Sequence, residues 1–374
     1  MIIGIVKEPE EESRVAMLPE AVKTLKSWNV EVMVETDAGK RAFADDALYQ
    51  ESGAEIVDRS TLLQKADIVC GVQALSIAEI GSMGPKSVLM GQFNALYNPE
   101  LTHFLIHESR TAFSMELVPR TTRAQSMDVL SSMATVVGYK AVLMAANLLP
   151  RFFPMFMTAA GTITPSRVLI LGAGVAGLQA IATAKRLGAT VFAFDVRQAA
   201  KEEVMSLGAK FVEVEGATDD KSAGGYAVEQ NEDFIHRQKE AIHEQATKAD
   251  VVITTAQIPG KKAPLLIEER TVLAMKPGAV VIDLAASSGG NCALTQADQT
   301  VSINGVSIVG VGNLAAQLPQ DASKMYGKNY LNFLKLIIKE GQMNLNFEDD
   351  IVSGTCVCHE GKPVNSRITQ MINN

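Results

Sequence analysis

Short apolar runs alternate with helix-length amphipathic segments from the first residue of the chain. That alternation predicts parallel α/β architecture, in which crossover helices cover both faces of each sheet. The first third carries predicted strands at 2–6, 30–35, 68–71, 88–90 and 111–114, with a helix at 19–28. A second series of strands starts at Val168 and continues at 190–194, 210–214, 251–254, 280–283 and 307–311. Between the two series, 138–149 is apolar, rich in helix formers and stopped by Pro150, so a helix is expected to join the halves. A second long helix near 315–338, with Tyr330, Phe333, Leu334 and Ile337 at helical spacing, is expected to return to the first half. The pattern therefore implies two doubly wound domains, 1–135 completed by 325–374 and 136–324, joined by long helices.

The segment that opens the second series reads VLILGAGVAGLQAIATAKRLGATVFAFDVR. A strand, a Gly-x-Gly-x-x-Gly turn, a helix, a second strand and then an acid make up a Rossmann-type dinucleotide fingerprint. Gly172 allows the tight turn, Gly174 removes a Cβ where a pyrophosphate must approach backbone N–H groups, and Gly177 lets the helix lie close on the strand. With Val175 and Ala176 they place the pyrophosphate at a helix N-terminus, whose dipole favours negative charge. Asp195, with Val196 and Arg197 beside it, stands where a carboxylate accepts ribose hydroxyls. A 2′-phosphate would be repelled by Asp195, which favours NAD(H), although Arg197 could itself pair with a phosphate. A Gly-turn with a purely structural purpose is the alternative. Both domains then read as Rossmann-like, with the nicotinamide expected in the interdomain cleft, at the carboxyl ends of the strands.

Composition narrows the function classes. The chain has 374 residues, of which 47% are hydrophobic, enough for two packed cores. A net charge of −8 and no clustered basic tract give no reason to expect nucleic acid as a partner. Cys70, Cys292, Cys356 and Cys358 do not form a disulfide framework, and a C-x-C-H run at 356–359 is more simply three strand residues than a metal site, so no metal is expected. The first residues pass directly from a strand into KEPEEE, not into a signal peptide, and the most membrane-like stretch, 141–163, is broken by Pro150, Arg151 and Pro154. A cytoplasmic chain with no membrane span of its own is expected.

Two further segments draw attention. After the strand at 210–214, a long stretch rich in Gly, Ala, Asp and Ser carries Tyr226 next to Gly224 and Gly225, which reads as a lid or as a solvated excursion. Just ahead of the linking helix, PRTTRAQSMDVLSS gathers Arg120, Arg123, Gln125, Asp128, Ser131 and Ser132. Gln and Ser suit a nicotinamide carboxamide, and an Arg–Asp pair would hold their backbone in place. A satisfied surface network is the alternative.

Taken together, RVAMLPE, RAQSMD, GAGVAGLQAIATAKRLGA, AGGYA, ITTAQIPGKKAP and IDLAASSGGNC resemble the NAD(H)-binding soluble domain of proton-translocating nicotinamide nucleotide transhydrogenases, over essentially the whole chain. The resemblance implies that Arg120, Gln125, Asp128 and Ser131 act at the nicotinamide and that Tyr226, with Gly225, closes over the nucleotide. Gln257 is expected to line the adenosine side. It also implies a homodimer, with NADP(H) and the membrane segments on a partner β subunit that holds this chain peripherally at the inner membrane.

Alanine dehydrogenases are related, and share the start around Arg14. Their chemistry moves protons as well as a hydride, and in them a Lys in VKVKEP and a His in YLHLA supply the acid/base set. Here GVQAL and FNAL put Gln73 and Asn94 at those places, and neither group titrates near neutral pH. Transfer of a hydride between two nicotinamide rings moves no proton at the reacting carbon, so orientation and desolvation suffice. An alanine dehydrogenase-like enzyme and a non-catalytic NAD-binding module are the alternative readings.

Overall fold

The computed structural model describes residues 1–214, 216, 232–258 and 262–373. The chain divides into two compact units, one made of 1–133 and 315–374 and the other of 134–314.

The first unit is built on β1 (Ile2–Ile5), β2 (Glu31–Glu35), β3 (Glu55–Val57), β4 (Ile68–Gln73), β5 (Val88–Gln92) and β6 (Thr111–Ser114). These six strands pair in parallel in the order β6-β5-β4-β1-β2-β3. The strand Cys356–His359 then adds antiparallel to β6, and Lys362–Pro363 pairs antiparallel outside it. Strand order reverses between β1 and β4, which opens a crevice at their carboxyl ends. The helix Pro319–Ile337 belongs to this unit and buries Tyr326, Tyr330, Phe333, Leu334 and Ile337 along one stripe, the spacing its sequence predicts.

The second unit begins in the helix Val129–Leu148, which starts nine residues before the apolar run suggested, at a cap supplied by Asp128. By length and composition it is long and apolar enough to cross a membrane. Its Ala141, Val142 and Ala145 are fully buried in this unit's core. A hairpin that the sequence pattern did not reveal follows, β7 (Phe156–Thr158) with β8 (Gly161–Ile163). The main sheet has β9 (Arg167–Leu171), β10 (Thr190–Phe194), β11 (Lys210–Phe211), β12 (Val251–Thr254), β13 (Val280–Asp283), β14 (Thr300–Ile303) and β15 (Val306–Gly310). Their order is β11-β10-β9-β12-β13-β15-β14, all parallel except β14.

Alternate residues of the central strands feed opposite cores. Val168, Ile170, Val251, Ile253, Val280 and Ile282 lie in one, and Leu169, Leu171, Val252 and Val281 in the other. Burial on both faces is why these strands read as unbroken apolar runs. The switch point falls between β9 and β12, and the turn after β9 is the glycine fingerprint.

Candidate functional site

At the end of β9, Gly172 adopts φ +98°, and a Cβ there would sit 2.6 Å from Thr255 Oγ1. Thr255 Oγ1 donates to the Gly172 carbonyl at 3.0 Å, so the turn is tied to the end of β12. A Cβ on Gly177 would lie 1.9 Å from the Gly172 carbonyl oxygen, which only glycine permits. Gly174, the extended N-cap of the helix Val175–Arg186, is different: among the described residues nothing lies within 4 Å of where its Cβ would be. Space is therefore kept open directly over first-turn N–H groups that have no acceptor inside the helix. Val175 is 44% exposed beside it, and Ala176 is partly exposed. An open helix N-terminus without a side chain in front of it fits a pyrophosphate.

Asp195 follows β10 with its side chain largely buried. One carboxylate oxygen accepts the Ala173 N–H at 2.7 Å and Arg197 Nη2 at 2.9 Å, and the other accepts the Arg197 backbone N–H and Nε, both at 2.9 Å. All of its roughly four acceptor positions are thus engaged. A ribose diol can use them only if the Arg197 guanidinium gives up its share. Val196, between them, packs partly buried against the core.

The neighbouring strand ends are organised by a residue that sequence reasoning passed over within a longer motif. Asp283, fully buried at the end of β13, accepts from Thr254 Oγ1 at 2.9 Å, Ala285 N at 3.0 Å, Asn291 N at 2.8 Å, Cys292 N at 3.0 Å and Thr295 Oγ1 at 2.7 Å. Asn291 in turn donates to the Ala256 and Pro264 carbonyls and accepts the Ala256 N–H. The readable signal was an acid ending an otherwise apolar strand, VVID. Gln257 is exposed next to this network and donates to the Leu284 carbonyl at 3.3 Å. Gly225 and Tyr226 lie outside the described residues.

In the first unit the segment 120–131 forms a 3-10 turn, Thr122–Met127, that runs into the helix Val129–Leu148. Ala124 and Met127 are buried, while Arg120, Gln125 and Ser126 are exposed. The Gln125 amide has no hydrogen-bond partner among the described residues, which leaves it available to a ligand. Asp128 accepts the Ser131 N–H at 2.9 Å and the Ser131 hydroxyl at 2.6 Å, the reach of a helix N-cap. The Arg–Asp pairing made by Arg123 is with distant residues: its guanidinium donates to both oxygens of Asp349, at 2.7 and 2.6 Å, and also reaches Asp350.

The carboxyl edge of the first sheet has a cavity of about 470 Å³ lined by Lys7, Glu8, Glu35, Arg59, Gln73 and Glu79, among others. It is crossed by internal ion pairs, Arg59 with Glu35 at 2.7 Å and with Glu79 at 2.6 Å. Glu8 accepts the Val72 and Gln73 N–H groups at 2.6 and 2.9 Å, and burial pushes its carboxyl up to about 7 against those bonds. Arg14, matched at 2.6 Å by the fully buried Glu12, is neutralised. The Gln73 amide donates to the same Glu12 at 3.2 Å, and Asn94 sits at φ +50°.

Two family profiles cover the chain: "Alanine dehydrogenase/PNT, N-terminal domain" over 4–137 and "Alanine dehydrogenase/PNT, C-terminal domain" over 141–366. The chain belongs to this alanine dehydrogenase/PNT family. Within it, the chain is 47% identical to the first portion of a divided NAD(P) transhydrogenase subunit alpha of Rhodospirillum rubrum, over 99% of both chains. It is 43% identical to NAD(P) transhydrogenase subunit alpha of Haemophilus influenzae, over 97% of this chain and 72% of that one. Among solved structures, the transhydrogenase of Sinorhizobium meliloti superposes with a TM-score of 0.89 at 42% identity, covering 97% of this chain and all of that one. An L-alanine dehydrogenase shares the fold, with a TM-score of 0.83 at 24% identity, covering 100% of this chain and 99% of that one.

Proposed function

We propose that this chain binds NAD(H) on its second unit and exchanges a hydride with NADP(H) held by a partner β subunit of a proton-translocating transhydrogenase. When bound, the nicotinamide supplies the hydride. Gly172, Gly174, Val175, Ala176 and Gly177 hold the pyrophosphate through backbone N–H groups. Asp195 takes the adenosine ribose as Arg197 yields, with Val196 beneath it and Gln257 on the adenosine side. Arg120, Gln125, Asp128 and Ser131 orient the nicotinamide end, Gln125 through its unengaged amide and Asp128 by fixing the helix start behind it. The closing role of Gly225 and Tyr226 rests on the family resemblance alone.

The observation that carries this reading is the pairing of an open, positively polarised helix N-terminus with a first unit that lacks a lysine and a histidine at Gln73 and Asn94. That composition supports a reaction needing orientation and exclusion of water but no proton donor at the reacting carbon. Association with a second copy is supported by the hairpin region, where Phe152, Met155, Phe156, Met157 and Ile163 are exposed, Met157 to 75%. In this reading the chain works at the cytoplasmic face of the membrane, held there by subunits that carry the spans and couple the exchange to proton movement.

One observation favours a second reading, an amino-acid dehydrogenase. The cavity beside Gln73 contains Glu8, whose carboxyl titrates at about 7 and could serve as an acid or base. Both of its oxygens already accept backbone N–H groups, which argues against it. The test mixes the chain with NADH, an oxidised NADP analogue and the NADP-binding domain of a transhydrogenase, then follows analogue reduction. Reduction supports the first reading. Oxidation of NADH by pyruvate and ammonia without any partner would support the second, and NADH binding with neither reaction would leave a binding module.

A further inference from the structure

The turn that carries Gln125 is held by a segment of the chain some two hundred residues away. Ser126 offers its backbone carbonyl to two side-chain amides on one face of the helix Pro319–Ile337: Asn329 Nδ2 at 2.8 Å and Asn332 Nδ2 at 3.0 Å. Three residues earlier, Arg123 is clamped by both oxygens of Asp349 and by Asp350. Asp349 is itself fixed as the N-cap of the helix Asp350–Thr355, through the Ile351 N–H at 2.9 Å. The same short helix lies so close to the start of the turn that a Cβ on Gly354 would be 2.6 Å from Pro119 Cγ.

We infer that 319–355 is a brace for the nicotinamide-orienting turn, with Asn329 and Asn332 as positioning residues that act on Gln125 by fixing the Ser126 carbonyl. A 3-10 turn has poorer hydrogen-bond geometry than an α-helix and does not hold its own shape well. Two donors on one carbonyl lock the peptide between Ser126 and Met127 in one orientation, next to the Gln125 side chain, which has no other anchor among the described residues. Asn329 is only 5% exposed, yet its Oδ1 is a buried oxygen with no partner among the described residues, a cost that a residue serving general stability would not need to carry. The inference rests on the proposed role of Gln125.

The test uses changes that keep size but remove the donors, Asn332→Asp at the half-exposed site and Asn329→Asp at the buried one, each placing a carboxylate oxygen against the Ser126 carbonyl. Hydrogen–deuterium exchange is measured over 120–128 in the nucleotide-free chain, alongside the NADH dissociation constant and the hydride-transfer rate with the partner domain. The brace predicts exchange at least about ten-fold faster in the turn, a transfer rate lower by about ten-fold or more, and NADH affinity within about two-fold of wild type, because displacement by an ångström is costly to a reaction and slight for binding. Asn332→Gln, which restores a donor, recovers some of the rate. Unchanged exchange in a folded Asn332→Asp chain overturns the brace, and faster exchange with an unchanged rate overturns the positioning role. If the wild-type chain transfers no hydride, the proposed function fails on its own, and the exchange measurement still decides the brace.

Discussion

The two units have the same kind of sheet and a switch point in the same place, yet their carboxyl edges are finished in opposite ways. In the second unit the strand β9 ends in a Gly-Ala-Gly turn whose single methyl is buried, in front of a helix N-terminus, and a Cβ at Gly174 would meet nothing within 4 Å among the described residues. In the first, β1 runs on into KEPEEE, and Glu8 lines the cavity at that edge, folding back to accept the Val72 and Gln73 N–H groups that end β4. One edge leaves helix-start N–H groups for an anionic ligand, and the other places a carboxylate of its own there, bonded to strand-end N–H groups. Topology supplies the crevice, and the side chains of the first turn decide whether a phosphate can enter it.

The largest expected effect comes from closing the open edge. Gly177→Ala forces a methyl into a carbonyl 1.9 Å away, so the chain is expected to lose about 1–3 kcal/mol of stability, with NADH binding lost as the turn shifts. Gly174→Ala, where there is room, should leave thermal stability unchanged and still weaken NADH by about ten-fold or more, since the methyl occupies ligand space. Calorimetric unfolding and titration of the two variants separate the roles. Equal stability losses would contradict the distinction.

Next in size is the orienting turn. Gln125→Ala is expected to slow hydride transfer by about a hundred-fold and change the NADH dissociation constant by less than about three-fold, as loss of orientation costs rate more than affinity. Stopped-flow transfer and equilibrium fluorescence give the two numbers. Equal losses in both would make Gln125 a cofactor-holding residue only.

A smaller change follows at the ribose. Asp195→Ser removes the carboxylate that engages Arg197 through its backbone N–H, Nε and Nη2. With the carboxylate gone, a 2′-phosphate is no longer repelled beside the Arg197 guanidinium, so NADPH affinity should rise by about ten-fold while NADH affinity falls. Nucleotide titrations on the isolated chain report both. A loss of NADH without any gain of NADPH would mean that Arg197 does not face the ribose.

The smallest effect tests the acidic edge of the first unit. Burial raises Glu8 from 4.5 to about 7, so the folded state binds this proton more tightly than the unfolded chain does. Its contribution to stability is then complete below about pH 4.5 and is lost as the pH rises through about 7, by up to about 3 kcal/mol. The carbon-13 shift of the Glu8 carboxyl should titrate near pH 7, and Glu8→Gln should flatten that region of the pH dependence of the melting temperature.

How far these features were legible in the chain depends on whether their causes are local. The central strands of the second unit were readable because burial on both faces makes them continuously apolar, and the fingerprint because its glycines answer to steric demands within a few residues. The hairpin at 156–163 was not, since FMTAAGTI has no alternating face and its apolar residues are exposed. The linking helix starts nine residues before its apolar run because Asp128, a residue that equally suits site chemistry, caps it. The Arg123–Asp349 pair spans 226 positions, and no local pattern points to it. Nor could spacing reveal that Arg197, expected beside Asp195, occupies that carboxylate.

The proposed function stands or falls on whether the bound NADH gives up a hydride with no proton from this chain at the reacting carbon. NADH carrying deuterium at both C4 positions, mixed in ordinary water with the chain, the NADP-binding domain of a transhydrogenase and an oxidised NADP analogue, decides it. The expected product carries one deuterium in every molecule of reduced analogue and none of the solvent's hydrogen at that carbon. Solvent hydrogen in the product, or no reduced analogue while NADH is demonstrably bound, would contradict it.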